Sequence, residues 1–195
     1  DKPEIQRIDL TQVMLEMMVA AKKIFPQGAV AFESFEWMDP PNEESTSAAR
    51  KLLMELGALT ADGMPTEMGE RLSKWPLHPR LGRILEESKS TGRLQAGCLL
   101  VSLLNEGFLL KRSVQEATVH TDCDLHYQAQ LYTDHKETEK KLTRAQRESI
   151  DVQQFKRIER SFESLCHLAH IRKNPLTIES VTTQECSPYA RELLA

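Results

Sequence analysis

The residues best able to do chemistry lie in a basic run late in the chain. Between Lys136 and Lys173 the sequence places Lys140-Lys141, Arg144, Arg147, Lys156-Arg157, Arg160 and Arg172-Lys173, interleaved with Glu137, Glu139, Glu148 and Glu159. On a helix Arg157 and Arg160 stand one turn apart and project the same way, so each is able to neutralise a backbone phosphate without reading a base. The same interleaving suits a solvated helix laced with i,i+4 ion pairs, each contributing about a few tenths of a kcal/mol. Spacing alone leaves both readings open.

Two clusters have metal-ligating side chains. His120, Cys123 and His126 recur every three residues, and Cys166, His167 and His170 lie together later. A structural zinc needs four converging ligands, and His120 falls before the start of its helix. The expected reading is one core-facing cysteine and imidazoles on helix surfaces, with no metal, catalytic or cofactor residue assigned. No Ser-His-Asp or Cys-His arrangement and no acid-base pair of carboxylates can be argued from spacing.

The composition sets bounds on the partners. The chain has 195 residues, 40% hydrophobic and 28% charged, enough for a buried core in one large or two small domains. Its formal charge of −4 gives no global basic field for nucleic acid. Residues 1–77 hold 8 Lys+Arg against 13 Asp+Glu, and residues 78–195 hold 17 against 16, so the front is acidic and the back balanced. Cys98, Cys123, Cys166 and Cys186 are widely spaced without a Cys-x-x-Cys pair, which fits reduced thiols in the cytoplasm. No run approaches the about 18 apolar residues of a membrane span and no signal peptide opens the sequence. A start at Asp1 reads as an excised fragment.

The elements that position these residues are mostly helices. Asp9 is placed to cap a helix from Leu10 to Ile24, with Val13, Met14, Met17, Met18 and Ala21 available to the interior and the methionines filling core gaps. Phe32, Phe35 and Trp37 follow in an extended segment, as staples onto that core or as a stacking platform. Asn42 caps the next helix, Ala49, Leu52, Leu53 and Leu56 form its apolar stripe, and Gly57 ends it. The Asp62-Gly63 turn between Leu59 and Met64 predicts a small two-stranded wing. Thr66 caps a short helix carrying Met68, Leu72 and Trp75; Pro76 stops it and Pro79 begins another. Helix, wing, helix is the logic of a winged helix.

Beyond Pro79 the pattern becomes a helical bundle. Leu81, Ile84 and Leu85 mark a helix that Gly92 terminates. Gln95 to Leu104 is apolar nearly all round, as a central bundle helix should be, and stops at Asn105-Glu106-Gly107. Leu125, Tyr127, Leu131 and Tyr132 support a helix from Thr121 or Asp122. Phe155, Ile158, Phe162, Leu165 and Leu168 or Ala169 support a last one between Ile150 and Ile171. From Asn174 to Pro188 periodicity is lost, as in a linker, before a helical start at Tyr189.

Several of these residues also carry a family likeness. Met38-Asp39-Pro40-Pro41, Leu56-Gly57-Ala58-Leu59, Met64-Pro65-Thr66-Glu67-Met68-Gly69 and Pro76-Leu77-His78-Pro79 occur in the order in which similar motifs follow the second RecA-like domain of DEAH-box RNA helicases. Pro65-Thr66 replaces the family's Leu-Thr and keeps the capping threonine. Pro3 to Leu10 resembles the exit from that motor domain. Phe155 to Phe162 resembles the last ratchet helix of the bacterial HrpB-type members, and the likeness weakens beyond Gly107.

This resemblance implies a C-terminal accessory region. Residues 1–8 would leave the motor domain, 9–77 would form a winged-helix domain, 78–173 a ratchet-like bundle, and 174–195 a linker into a following segment. Within the bundle, Gly92 to Asn105 would be the central ratchet helix, Lys111-Arg112 would match a basic turn after it, and Thr121 to Leu125 a Ser-Asp-x-Leu helix start, from which the extra Asp124 departs. The chain has no phosphate-cradling G-x-x-x-x-G-K-[ST] loop and no Asp-Glu-Ala-His box, so ATP and Mg would belong to the motor domains of a parent helicase. The implied role is to brace the motor and guide single-stranded RNA, or DNA, with Lys111, Arg112, Lys156, Arg157 and Arg160 as candidate contacts. A docking module for a protein activator or the motor, favoured by the acidic front, is the alternative. A free-standing DNA-binding regulator is disfavoured, because the helix at 67–74 offers only Arg71 and Lys74 to a groove.

Overall fold

The computed structural model describes residues 3–25, 32–111, 124–137 and 142–171. Arg112, His120, Cys123, Cys186, Lys140-Lys141, Arg172-Lys173, the helix start at 121–123 and the linker after Asn174 lie outside the described residues. The described chain is mainly α, and it divides into two compact units, Asp1–Glu86 and Glu87–Ala195.

The first unit is built on α1 (Thr11–Ile24), α2 (Glu43–Glu55) and α3 (Glu67–Leu72), followed by the start of α4 (Pro79–Ser90). α1 packs on α2, on α3 and on a 3-10 turn at Phe32–Ser34. Met14, Leu15, Met18 and Val19 of α1 meet Ala49 and Leu53 of α2, Leu72 of α3 and Phe32 in one core. The methionines are therefore core residues. Phe32, Phe35 and Trp37 form a ring cluster, with Phe32 and Trp37 centroids 5.0 Å apart, so the aromatic segment staples onto the core as a 3-10 turn instead of running extended.

Polar caps fix the helix boundaries. Asn42 Oδ1 accepts the Ser45 amide at 2.7 Å, Thr66 Oγ1 accepts the Gly69 amide at 3.0 Å, and Gly57 ends α2 at φ 70°. Between α2 and α3 the predicted two-stranded wing does not form. A single antiparallel bridge joins Leu59 and Pro65, and the described residues contain no strand. The pairing has no room to grow: on one side Thr60 donates to the Met64 carbonyl and accepts the Gly63 amide within the turn, and on the other Thr66, whose amide donates to the Ala58 carbonyl, already caps α3.

α1 begins at Thr11 with Leu10 at its cap position, so Asp9 is not the cap expected of it but holds the entry one residue earlier. Its Oδ1 accepts the Thr11 amide at 2.7 Å and its Oδ2 lies 3.4 Å from His78 Nε2. Burial raises the Asp9 carboxyl, but the Thr11 hydrogen bonds and the His78 imidazole outweigh it and hold it below the ordinary value of 3.8. A depressed folded pKa contributes stability that is full above 3.8 and is lost as pH falls through the lower folded value. Asp9→Ala is expected to cost about 1 kcal/mol at neutral pH and to flatten the acid limb of the stability profile, read as urea midpoints from neutral pH down to about pH 3.

The second unit centres on α5 (Leu94–Glu106), which packs against α6 (Asp124–Glu137) and α8 (Val152–Leu168); a short α7 (Arg144–Ser149) precedes α8. Gly97, Cys98, Leu99, Val101, Ser102 and Leu103 of α5 are buried, as its nearly all-apolar sequence requires. Ser102 Oγ donates to the Cys98 carbonyl at 2.7 Å, which satisfies the one polar side chain in that stretch. The last helix predicted between Ile150 and Ile171 is α8, and α7 before it was not predicted. Thr143 and Gln146 form a capping box that starts α7, and Asp151 caps α8 afresh through the Gln153 and Gln154 amides.

Candidate nucleic-acid interface

α8 has two opposed faces. Ile158, Phe162, Leu165 and Cys166 are buried, at the three- and four-residue spacing of one helix side. Gln153, Lys156, Arg157, Arg160, Ser164 and His167 are exposed on the other, at equally regular spacing. The exposed face thus carries three fixed positive charges and no carboxylate. The acidic residues of the helix, Glu159 and Glu163, fall along one edge and are only partly exposed.

The ion pairs that form explain why this face stays basic. Glu159 Oε1 is bound across helices by Lys136 Nζ of α6 at 3.0 Å, and that ammonium also lies 5.8 Å from the centroid of the Tyr132 ring. Arg144 pairs with Glu148 at 2.8 Å on α7, the i,i+4 arrangement of a solvated helix. The basic run therefore splits: Lys136 and Arg144 act in intramolecular pairs, while Lys156, Arg157 and Arg160 share one exposed surface.

Of the candidate contacts, the structure gathers Lys156, Arg157 and Arg160 and sets Lys111 apart. The Lys111 amide donates to the Ser149 carbonyl at 2.9 Å and its Nζ to the Glu148 carbonyl at 2.6 Å, so its ammonium closes the end of α7 while remaining exposed. The cysteine-histidine cluster does not converge. Cys98 and Cys166 are both buried, whereas His167 and His170 are exposed. A hydrogen bond with Cys166 and burial push the Cys98 thiol far up, which keeps it protonated and unreactive. Among the described residues no three His, Cys, Asp or Glu side chains gather where they could hold a metal ion.

Two features of the second unit escape sequence reading. The Lys136–Glu159 pair joins residues 23 apart in the chain, beyond any local rule. Phe108, directly after the helix-ending Gly107, remains 54% exposed. Its signal is the Gly-Phe step itself, an aromatic side chain placed where the chain leaves a central helix.

In the first unit, a cavity of about 390 Å³ opens between the Phe32–Ser34 turn and α2, lined by Trp37, Pro40, Pro41, Glu33, Glu43 and Arg50. Arg50 is held by Glu33 at 2.6 Å, which leaves Glu43 as the acidic rim.

Similarity to known proteins points to one class, the ATP-dependent RNA helicases, and extends over about half of the chain. The chain is 28% identical over 103 residues to the pre-mRNA-splicing factor ATP-dependent RNA helicase prp22 of Schizosaccharomyces pombe, covering 53% of this chain and 8% of that protein. It is 30% identical over 108 residues to the ATP-dependent RNA helicase HrpA of Escherichia coli, again 53% of this chain and 8% of the relative. The chain thus corresponds to a small part of the length of these relatives. No protein-family model matches it. Among the described residues no helix is long and apolar enough to cross a membrane.

Proposed function

We propose that this chain is an accessory region of a cytoplasmic DEAH-box ATP-dependent RNA helicase of the HrpB type, in which residues 9–77 brace the motor domains and residues 78–173 form a ratchet-like bundle that guides single-stranded RNA. The observation that carries this reading is the exposed face of α8, where Lys156, Arg157 and Arg160 stand together without a carboxylate. Such a face grips a strand by its phosphates and is indifferent to base identity. As the motor domains close and advance the strand, a fixed row of charges on the opposite side resists its slipping back. ATP hydrolysis and Mg binding belong in this reading to the motor domains, because this chain carries no motif for either.

The salt dependence of binding tests it. For single strands each neutralised phosphate contributes about 0.7 to the slope of log affinity against log salt. Three contacts give a slope near 2, so a fourfold rise in salt weakens binding by roughly 20-fold. Arg157→Ala/Arg160→Ala should cut the slope to about 0.7. Fluorescence anisotropy with a labelled oligouridylate reads both; salt-independent binding, or an unchanged slope in the variant, removes the basic face from the account.

One observation favours the second reading, a docking module for a protein activator. The cavity beside Trp37, Pro40 and Pro41 has the apolar floor and acidic rim that suit a basic peptide segment. Salt would screen the attraction of the rim but leave the contact with the apolar floor, so part of that binding would persist at high salt.

A further inference from the structure

Phe108 is a large aromatic side chain left 54% exposed on a backbone that is tied down on both sides. Gly107, at φ 93°, turns the chain out of α5 and donates to the Leu103 carbonyl at 3.0 Å. The Glu106 carbonyl accepts from Gln154 Nε2 of α8. The Leu109 amide donates to the buried Gln128 side chain of α6 at 2.7 Å. The Leu109 carbonyl accepts the Asp151 amide at 3.0 Å, and the Lys111 amide donates to the Ser149 carbonyl at 2.9 Å. Leu109 and Leu110 are buried. The segment is therefore anchored to α6, to α8 and to the residues before α8, and of residues 107–110 only Phe108 is exposed.

These bonds hold Phe108 at the start of α8. Leu110 bridges Ile150 in an antiparallel sense, the Leu109 carbonyl accepts the Asp151 amide and the Glu106 carbonyl accepts from Gln154, so Phe108 lies between two anchors to the first turn of α8, which begins at Val152. Val152 is itself 60% exposed, and Lys156 follows it by four residues, one turn along the helix. Arg160 stands one turn further on. Two exposed apolar side chains, Phe108 and Val152, thus stand at the end of α8 from which its row of cations runs. An exposed aromatic ring beside a row of cations is the pairing by which proteins hold single strands without sequence preference: the cations take phosphates and the ring takes the face of a base.

From this juxtaposition we infer that Phe108 is a base-stacking residue at one end of the strand path along α8. The inference rests on the reading of α8 as a phosphate-binding face and adds a contact of different chemistry. It also gives the path a fixed end, since a stacked base on Phe108 sets where the following phosphates meet Lys156 and Arg160. Base identity matters little, because every base presents a π face.

The test compares the full chain with Phe108→Ala and Phe108→Trp, using an oligouridylate and an abasic oligonucleotide with the same number of phosphates. Phe108→Ala should weaken oligouridylate binding roughly 10-fold, the effect of losing one stacked base, and leave abasic binding unchanged. Phe108→Trp should retain affinity, and its fluorescence, in a unit that otherwise has no tryptophan, should be quenched by the oligouridylate but not by the abasic strand. Equal oligouridylate affinity for wild type and Phe108→Ala overturns the stacking role, and the Arg157→Ala/Arg160→Ala salt slope then still decides the phosphate reading separately. Equal losses on both oligonucleotides overturn it in favour of a structural role for the ring. Unchanged RNA binding with loss of self-association in sedimentation velocity overturns it in favour of an interface between copies. Absence of RNA binding by wild type even at low salt overturns the phosphate reading and the stacking inference together.

Discussion

Tyr132→Ala is expected to destabilise the second unit by about 3–5 kcal/mol, whereas Tyr132→Phe is expected to be at least as stable as the wild type. The Tyr132 ring is fully buried, stacks on Phe155 with centroids 5.0 Å apart, and meets the edge of Phe162 at 6.1 Å. It is the piece of α6 that fills the space against α8, so truncation leaves a cavity between helices whose backbones are held by their other contacts. The hydroxyl contributes in the opposite sense. It is buried without a hydrogen-bond partner among the described residues, and burial together with Glu159 and Glu163 raises its pKa, so it stays a neutral, unsatisfied phenol. Replacing it with hydrogen removes a desolvation cost of about 1 kcal/mol or more. Trp37 and Trp75 both lie in the first unit, so the measurement is a urea transition followed by far-UV circular dichroism, with the m-value checked for constancy.

Gly69→Ala should be the most damaging conservative change in the first unit. A Cβ at Gly69 would lie 2.2 Å from the Ala58 carbonyl oxygen and 3.1 Å from its carbon, and both are backbone atoms without a rotamer to yield. The same carbonyl accepts the Thr66 amide at 3.0 Å, and Thr66 Oγ1 donates to the Gly57 carbonyl at 2.6 Å while capping α3 at Gly69. Relief of the clash must therefore pull α3 away from the turn and break the bonds that join α2, the Leu59–Pro65 bridge and α3. The expected loss is about 1–3 kcal/mol, with the upper end favoured by the backbone contact, read as an earlier urea midpoint in tryptophan fluorescence. Gly82→Ala is the control: its Cβ would first meet the Leu72 side chain at an ordinary 3.4 Å, so its effect should be well under that of Gly69→Ala.

These sites show which parts of the fold are written locally. Asn42, Thr66, Gly57, Pro79 and Gly92 act through their own backbone geometry or through amides up to three residues away, and a sequence displays those relations directly. The apolar spacing of α5 and α8 is equally legible, because the residues that share a face recur at helical intervals. The wing fails for an equally physical reason. An Asp-Gly turn between apolar residues is a hairpin signal, but here the turn absorbs Thr60 to Met64 and Thr66 caps α3 directly after Pro65, which leaves room for one bridge and no ladder. The Thr143-x-x-Gln146 capping box is a local signal for α7, a helix too short for apolar spacing to announce.

The candidate site was legible to the same depth. That Arg157 and Arg160 share a direction follows from their spacing, and Lys156 joins them in the structure. That Glu159 is bound by Lys136, and so leaves that face uncompensated, depends on how α6 packs against α8. Phe108 owes its place at the start of α8 to bonds between residues about 40 apart, the Leu110–Ile150 bridge and the Leu109–Asp151 and Glu106–Gln154 hydrogen bonds, and no local pattern carries that information.

The most direct test of the central claim is a titration of the isotopically labelled chain with an oligouridylate at low salt, following the Nε–H resonances of its arginines by NMR. Arg157 and Arg160 are expected to shift together along one saturation curve, Arg50, paired with Glu33, to stay in place, and added salt to reverse the shifts. An RNA that binds while Arg157 and Arg160 stay unperturbed, with the changes gathered at Trp37, Glu43 and Arg50, would contradict it and place the interaction in the first unit.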